Sequence, residues 1–439
     1  MKKSVVVGLV AVLLLALPTN AWAEHGADGP DFARLFWVLA IMLLAGKFSG
    51  ELAERVGQPA VLGELIAGAI LGGSLLGVIP TAAEDTLTPV IEVLAEIGVV
   101  ILLFEIGLQT DLKAMARVGK GAAAIAVVGV VLPLIGGIFF WLSPLANHAY
   151  GLVSVSMTAV FIGATLTATS VGITARVLQD LRVMHCVESR LIIGAAVIDD
   201  ILGLVLLGLV STLAAGGAVT VLSVGKSLAV AVGFLVVAVG VGLRVAPMLF
   251  DLLNRMRVRG MLLVTAFSFL LIVAALADQL GSAMIVGAFA AGLILSGTNQ
   301  FDLIEDRIKR VADIFTPIFF LSIGAKFDVR LLNPFVSDNL PVLGMGLALF
   351  FIAVIGKVAA GWAAPWRRFN RVAVGVGMIP RGEVGLIFAN MGLVMGVLST
   401  ELFGAIIIMV IGTTFVAPPF LKVAFGRAGV TVSEGAGPS

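Results

Sequence analysis

Apolar residues run in long blocks along this chain, interrupted at intervals by short groups of charged residues, Gly and Pro. Thirteen blocks predict helices, at about 32–54, 60–80, 89–109, 121–142, 151–176, 189–213, 221–243, 260–278, 282–297, 311–328, 341–364, 372–396 and 401–424. Each approaches the ~20 apolar residues that carry a helix across a ~30 Å hydrocarbon core. Strand-like alternation of period two is missing, which argues against a β-barrel. The pattern predicts an all-α polytopic membrane protein. An earlier apolar run, Val5 to Leu17, has a different setting, with Lys2 and Lys3 before it and Ala21-Trp22-Ala23 after it. That layout reads as a signal peptide over residues 1–23 with a small-x-small cleavage site. It leaves a transmembrane domain over 24–424 and a short tail over 425–439.

Composition sharpens this picture. Of 439 residues, 60% are hydrophobic and 13% charged, and the mean hydropathy of +1.13 excludes a soluble domain. The 52 glycines suit close helix packing in lipid. Cys186 stands alone, so no internal disulfide forms. Nucleotide-binding, metal-cluster and nucleic-acid motifs are missing from the chain, so no cofactor and no nucleic-acid partner are expected.

Charge distribution sets an orientation. If the mature chain starts outside, thirteen crossings end inside, and the inner segments then hold twenty Lys and Arg, among them Lys113, Arg117, Lys120 and the group Arg255, Arg257, Arg259. The outer segments hold four, Arg34, Lys226, Lys326 and Arg330. Such a bias places the C-terminus in the cytoplasm and the mature N-terminus outside, in the inner membrane of a bacterial cell.

An internal repeat is also legible. The third block ends Ile106-Gly107-Leu108-Gln109-Thr110-Asp111-Leu112 and the tenth ends Ile323-Gly324-Ala325-Lys326-Phe327-Asp328-Val329, 217 residues later. An odd number of crossings separates the two, so they lie at opposite faces, as inverted-topology repeats require. Pairing blocks 3–6 with 10–13 also pairs two segments that resist a regular helix. These are Thr165-Leu166-Thr167-Ala168-Thr169-Ser170, rich in hydroxyls that compete for backbone hydrogen bonds, and Ile379-Pro380-Arg381-Gly382-Glu383. Irregular backbone at membrane depth survives only where protein or a wet cavity covers it, so two broken helices mark the expected site.

Ionisable residues at depth point to the same place. At a rise of ~1.5 Å per residue, Asp200 lies about 15 Å past Arg190, and Lys357 about 15 Å before Arg367. Glu383 is about 18 Å beyond Arg371 if its helix is unbroken. A charge there costs at least ~2.5–3.5 kcal/mol, so each needs a partner or a purpose. Asp199 and Asp200 are adjacent and about 100° apart on a helix, so one can face a cavity while the other meets a neighbouring helix. A carboxylate in a wet pocket binds either a dehydrated alkali cation or a proton, and competition between them suffices for exchange. A buried salt bridge that only pins two helices is the alternative for this pair, and snorkelling is the alternative for Lys357. Arg381 is expected to neutralise backbone dipoles at a helix break, and Glu383 to do the same or to line the ion path. Thr165, Thr167, Thr169 and Ser170 offer hydroxyl ligands or simply pack helices. Glu64, Glu92, Glu96 and Glu105 also fall within blocks, and Glu105 receives no role. His25, His148 and His185 lie in loops or near the N-terminus.

Several stretches resemble the monovalent cation:proton antiporter-2 family, and within it the bacterial electrogenic sodium–proton branch with paired aspartates. They are Gly57-Gln58-Pro59-Ala60-Val61-Leu62-Gly63-Glu64, Thr169 to Arg176, Ala196-Val197-Ile198-Asp199-Asp200, Gly356-Lys357 and Pro380-Arg381-Gly382-Glu383-Val384-Gly385-Leu386. The resemblance covers residues 32–424. It implies that Asp200 is the shared carrier of proton and alkali cation and that Asp199 pairs with Lys357. It implies a homodimer in which a dimerisation bundle holds a mobile core, blocks 4–6 and 11–13, that alternates like an elevator. Na⁺ or Li⁺ leaving against protons is the expected exchange, with a K⁺/H⁺ antiporter or K⁺ efflux protein as the alternative. A channel would need a symmetric filter loop, and none is found. An intramembrane aspartyl protease would need its aspartates on separate helices, whereas here they are neighbours.

Cleavage of the leader is directly testable. Intact mass or N-terminal sequencing of membrane-purified protein should find Glu24 first, and a chain that begins at Met1 would show the leader to be retained.

Overall fold

The computed structural model describes residues 31–82, 84–110, 112–143, 155–214, 221–254, 256, 258, 260–280, 284–327, 329–332 and 339–427. The expected signal peptide, His25, His148, Asp111, Asp328, Arg255, Arg257, Arg259 and the tail from 428 lie outside the described residues, as do the side chains of Lys113, Lys226 and Glu383.

The described residues form fifteen α-helices and one 3₁₀ turn, with no strand among them. In order these are α1 (Phe32–Arg55), α2 (Ala60–Leu71), α3 (Thr88–Leu108), α4 (Leu112–Leu142), α5 (Val155–Thr165), α6 (Val171–Asp180), α7 (Val187–Ala214) and α8 (Val221–Asn254). There follow α9 (Met261–Gln279), α10 (Met284–Leu295), α11 (Phe301–Ala325), α12 (Asn339–Ala360), α13 (Arg371–Gly377), α14 (Glu383–Val394) and α15 (Thr400–Arg427). Six stretches are long and apolar enough to cross a membrane: Phe32–Arg55, Arg117–Leu142, Gly233–Leu252, Met261–Gln279, Leu340–Ala360 and Thr400–Gly426.

Helix ends depart from the apolar blocks for identifiable reasons. The second block, expected to run to residue 80, gives a helix only to Leu71, because the chain turns at Gly72 and again at Gly77, whose φ of +63° favours glycine. Conversely α4 starts at Leu112 and α11 at Phe301, well before their apolar blocks. The added turns of α11 carry the i,i+4 ion pairs Lys309–Glu305 (2.6 Å) and Arg310–Asp306 (2.8 Å), which support a helix that hydropathy alone does not see. Both segments expected to break do so: α5 stops at Thr165 and α6 resumes at Val171, and α13 stops at Gly377 and α14 resumes at Glu383.

Two packed bodies can be told apart, joined by the largest buried core, which runs from Val61 of α2 and Leu102 of α3 to Ile173 of α6 and Ala196 of α7. In one, Leu35, Val38 and Met42 of α1, Leu71 of α2, Ile91 of α3 and Leu321 of α11 share a buried core, against which α9 and α10 also pack. In the other, Trp141, Phe161, Leu349, Phe388 and Met409 knit α4, α5, α12, α14 and α15 together, with α7 against α4 and α5. Glycines allow backbones to touch in the first body. A Cβ on Gly107 of α3 would collide with the carbonyl oxygen of Phe289 in α10, and one on Gly324 of α11 with that of Leu65 in α2. Both crossings involve a twelve-residue helix and the glycine of the repeated Ile-Gly motif.

Polar links at the helix ends sort into two groups. Arg34 pairs with Asp85 (2.6 Å), Lys326 with Glu92 (2.9 Å), and Arg330 Nε donates to Ser74 O (3.0 Å). In the other group Lys47 pairs with Asp313 (3.2 Å), Asn370 N donates to Glu188 Oε1 (2.9 Å), and Gln109 Nε2 to Glu305 Oε1 (3.2 Å). Each link joins segments that the charge pattern assigns to one face.

Candidate functional site

The site forms where the two broken helices meet. Ser170 N donates to Pro380 O at 2.8 Å, joining one unwound segment to the other. A helix end leaves carbonyls and N–H groups without intrahelical partners, and in an apolar interior these must be met locally. At the end of α5, Arg381 Nη1 donates to Thr167 O (2.9 Å) and also to Ala168 O. A cation thus sits on the negative end of a helix dipole. At the end of α13 hydroxyls do the same work, Thr174 Oγ1 donating to Gly377 O (2.7 Å) and Thr169 Oγ1 to Met378 O (3.3 Å). Thr414 Oγ1 of α15 donates to Arg381 O at 2.5 Å, fixing the backbone that carries the guanidinium. The N-caps of the two resumed helices, Ser170 and Gly382, make no side-chain capping bond, so α6 and α14 bring two positive helix ends to the crossing. A Cβ on Gly382 would lie 2.6 Å from Ser170 Oγ, so glycine permits this approach.

Beside the crossing lies a fully buried ion pair. Lys357 Nζ of α12 donates to Asp199 Oδ1 of α7 at 3.0 Å, and neither side chain has any exposed surface. The amine lies beside Gly129 of α4, where a Cβ would come to 3.4 Å from Nζ. Asp199 Oδ2 has no protein hydrogen-bond partner, and Arg381 is within electrostatic range of Asp199. Asp200, 4% exposed, lies within electrostatic range of the same Lys357 ammonium. Two carboxylates therefore face two buried cations.

The structure thus brings Asp199, Asp200, Lys357, Arg381, Thr167, Thr169 and Ser170 to one locus. Thr165 Oγ1 and Thr167 Oγ1 donate to Ile162 O (2.7 Å) and Ala164 O (2.8 Å), which leaves their oxygen lone pairs for other partners. Ser170 Oγ is buried with no protein partner. Glu383 begins α14 at the crossing, by its backbone. Sequence reasoning passed over Thr174, Thr414 and Gly129. The Thr413-Thr414 doublet within an apolar block was a readable signal, since the repeat expected from the sequence pairs α15 with α7 and its Asp199-Asp200 doublet.

Chemically the locus offers two buried carboxylates, with hydroxyl and carbonyl oxygens at the neighbouring crossing. Hard oxygen ligands of this kind suit an alkali cation.

Comparison with known proteins adds to this geometry. The family described as sodium/hydrogen exchanger, transmembrane, matches residues 34–425. The high-affinity Na(+)/H(+) antiporter NhaS3 of Synechocystis is 39% identical over 419 residues, covering 89% of each chain. The Na(+)/H(+)-K(+) antiporter GerN of Bacillus cereus is 35% identical over 404 residues, covering 89% of this chain and 96% of its own. Among solved structures, the sodium proton antiporter MjNhaP1 of Methanocaldococcus jannaschii superposes with a TM-score of 0.64 at 18% identity, over 89% of this chain and 99% of that one. That likeness speaks to the fold.

The ion pair predicts its own energetics. Lys357→Ala leaves Asp199 buried without its counter-ion and should destabilise the protein by about 3–5 kcal/mol. Removing both, as Asp199→Ala with Lys357→Ala, should cost less than the two single losses combined. Thermal unfolding of the purified protein in detergent checks this, and strict additivity would mean that the pair is not coupled.

Proposed function

The chain belongs to the sodium/hydrogen exchanger family, whose members are secondary transporters and not enzymes, and from that premise we propose that it exchanges monovalent cations, Na⁺ or Li⁺, for protons with Asp200 as shared carrier. The observation that carries this reading is the buried Lys357–Asp199 pair with Asp200 beside it at the crossing of two broken helices. A static brace needs one carboxylate for one lysine. A second one, within electrostatic range of the same ammonium, supplies a group that alternates between proton and cation.

In this reading a cation entering Asp200 displaces its proton and weakens the hold of the carboxylates on Lys357. Burial favours neutral forms, and loss of a counter-ion favours release of the ammonium proton. The site then returns two protons per cation, so transport moves net charge. Arg381 holds the broken helix end in place, while Thr165, Thr167, Thr169, Ser170 and Glu383 line the ion path or support the breaks.

The architecture follows the same logic. Joining α5 to α6 and α13 to α14 gives thirteen helical units, one for each apolar block, which supports thirteen crossings after a leader over 1–23. The matched glycine crossings of α3 with α10 and α11 with α2 support inverted repeats. The sorting of polar links into two faces, with twenty basic residues on one side, supports a cytoplasmic C-terminus and an outer mature N-terminus in a bacterial inner membrane. α4–α7 and α12–α15 form the moving core, and the first body is the bundle through which two copies pair. The transmembrane domain spans 24–424 and the tail 425–439.

Proteoliposomes with an imposed pH gradient test the reading. The wild-type chain should couple Na⁺ and Li⁺ to proton movement, and K⁺ belongs in the same assay because GerN is named for both ions. Asp200→Asn should fold and lose exchange, because an amide cannot cycle between proton and cation. Lys357→Gln should retain exchange but lose its current on a solid-supported membrane. Exchange by Asp200→Asn refutes the carrier assignment, and undiminished current per ion in Lys357→Gln refutes the role of the lysine.

A further inference from the structure

A second, partly buried polar group, away from the crossing, joins the two bodies at the face assigned to the cytoplasm. It is centred on the inner half of the first broken helix, α6, whose last turns carry Arg176, Gln179 and Asp180. Arg176 Nε and Asp180 Oδ1 form an i,i+4 ion pair at 3.2 Å. The other oxygen of Asp180 accepts from the backbone N–H of Val61, at 3.4 Å, in the first turn of α2. That turn needs an outside acceptor. Helix α2 starts after Pro59, which provides no side-chain cap; Leu62 N reaches back to Pro59 O at 3.1 Å, and the N–H of Val61 turns to an outside acceptor. A carboxylate from the opposite body therefore caps α2 and meets the positive end of its dipole.

Two carboxylates of the first body face the same ion pair. Glu64 of α2 is 2% exposed, its Oε2 has no protein hydrogen-bond partner, and it lies within electrostatic range of Arg176. Glu105 of α3, 7% exposed, also lies within range of Arg176 and accepts from Gln109 Nε2 at 3.3 Å. Gln109 in turn accepts from Gln179 Nε2 of α6 at 3.3 Å. None of these groups reaches the Lys357–Asp199 pair, and exchange at Asp200 does not use them. If α6 moves with the core while α2 and α3 stay with the bundle, the ties from Asp180 to Val61 and from Gln179 to Gln109 break and re-form in each cycle.

We propose that Asp180, seated on the open N-terminus of α2, and Arg176, within electrostatic range of Glu64, form a latch that docks the inner end of the ion-binding body and shuts the inner route to Asp200. They are positioning residues, acting on the balance between inward-open and outward-open forms and never on the cation itself. The proposal rests on the exchange reading above. Its signature follows from population shift: apparent affinity at either face scales with the fraction of protein open to that face. Loosening the latch raises the inward-open fraction. Apparent KM for Na⁺ then falls at the inner face and rises at the outer face, whereas a merely structural defect reduces Vmax and leaves both KM values in place.

The experiment measures apparent KM for Na⁺ from each face separately, in proteoliposomes of uniform orientation, for Asp180→Ala, Glu64→Gln and Arg176→Lys. Asp180→Ala should lower the inner KM about fivefold, the lower end of ordinary coupling between sites, and raise the outer one. Glu64→Gln should shift both in the same senses by less, and Arg176→Lys should stay near wild type because the charge is kept. Independently of transport, hydrogen–deuterium exchange at the first-turn amides of α2 should quicken in Asp180→Ala. KM values that stay fixed or move in parallel in both Asp180→Ala and Glu64→Gln overturn the latch, as does unchanged amide exchange. A wild-type chain that moves no cation overturns the exchange reading and the latch together, so the two failures are distinguishable.

Discussion

Taking the Lys357 ammonium and the Asp199 carboxylate wholly out of solvent costs several kcal/mol per ion, and only close pairing with good geometry offsets it. Much of the surrounding fold can be understood as meeting that condition. α4 places Gly129 beside the amine, and a Cβ on Gly356, next to Lys357, would press on the Pro133 ring at 2.9 Å. Helices α4, α7 and α12 must therefore approach closely and keep their register. A replacement of the pair by apolar groups would be the more stable solution on general grounds, so its presence argues for use rather than for bracing.

The same economy of charge governs the crossing. Four helix ends meet in an apolar interior, and each exposes backbone groups that water would otherwise satisfy. The two carboxyl-terminal ends are met differently: α5 receives the Arg381 guanidinium, α13 the hydroxyls of Thr169 and Thr174. The two amino-terminal ends add positive potential, and the buried Asp199 carboxylate faces the Lys357 and Arg381 cations nearby. A cation at Asp200 would thus enter a locus already balanced between fixed positive and negative groups, where a single proton changes the sum. This is how a small ion can bias a large protein: it binds the two charge states of the site unequally.

Much of this was legible before the structure. Asp199, Asp200 and Lys357 stood out because ionisable residues inside apolar blocks are costly, and Pro380-Arg381-Gly382 because no helix runs through it regularly. What escaped was of two kinds. Thr414 and Gly129 are ordinary residues in lipid helices, and only the approach of another helix gives them meaning. The amphipathic turns of α11 and the early start of α4 escaped because hydropathy follows the apolar stretch, whereas a helix continues as long as its hydrogen bonds and i,i+4 pairs allow. Glu105 had no role in the sequence because its neighbours Gln109 and Gln179 are far from each other in the chain, and they meet only when α6 docks on α3.

The central claim is competition: proton and cation occupy Asp200 in turn. Calorimetric titration of the purified protein with Na⁺, in buffers of different ionisation enthalpy across a pH series, measures it without transport. The account predicts that Na⁺ binding releases protons, that its apparent affinity weakens about tenfold per pH unit for each proton released, two at most, and that both effects vanish in Asp200→Asn. Na⁺ binding with no proton release and no pH dependence would contradict it.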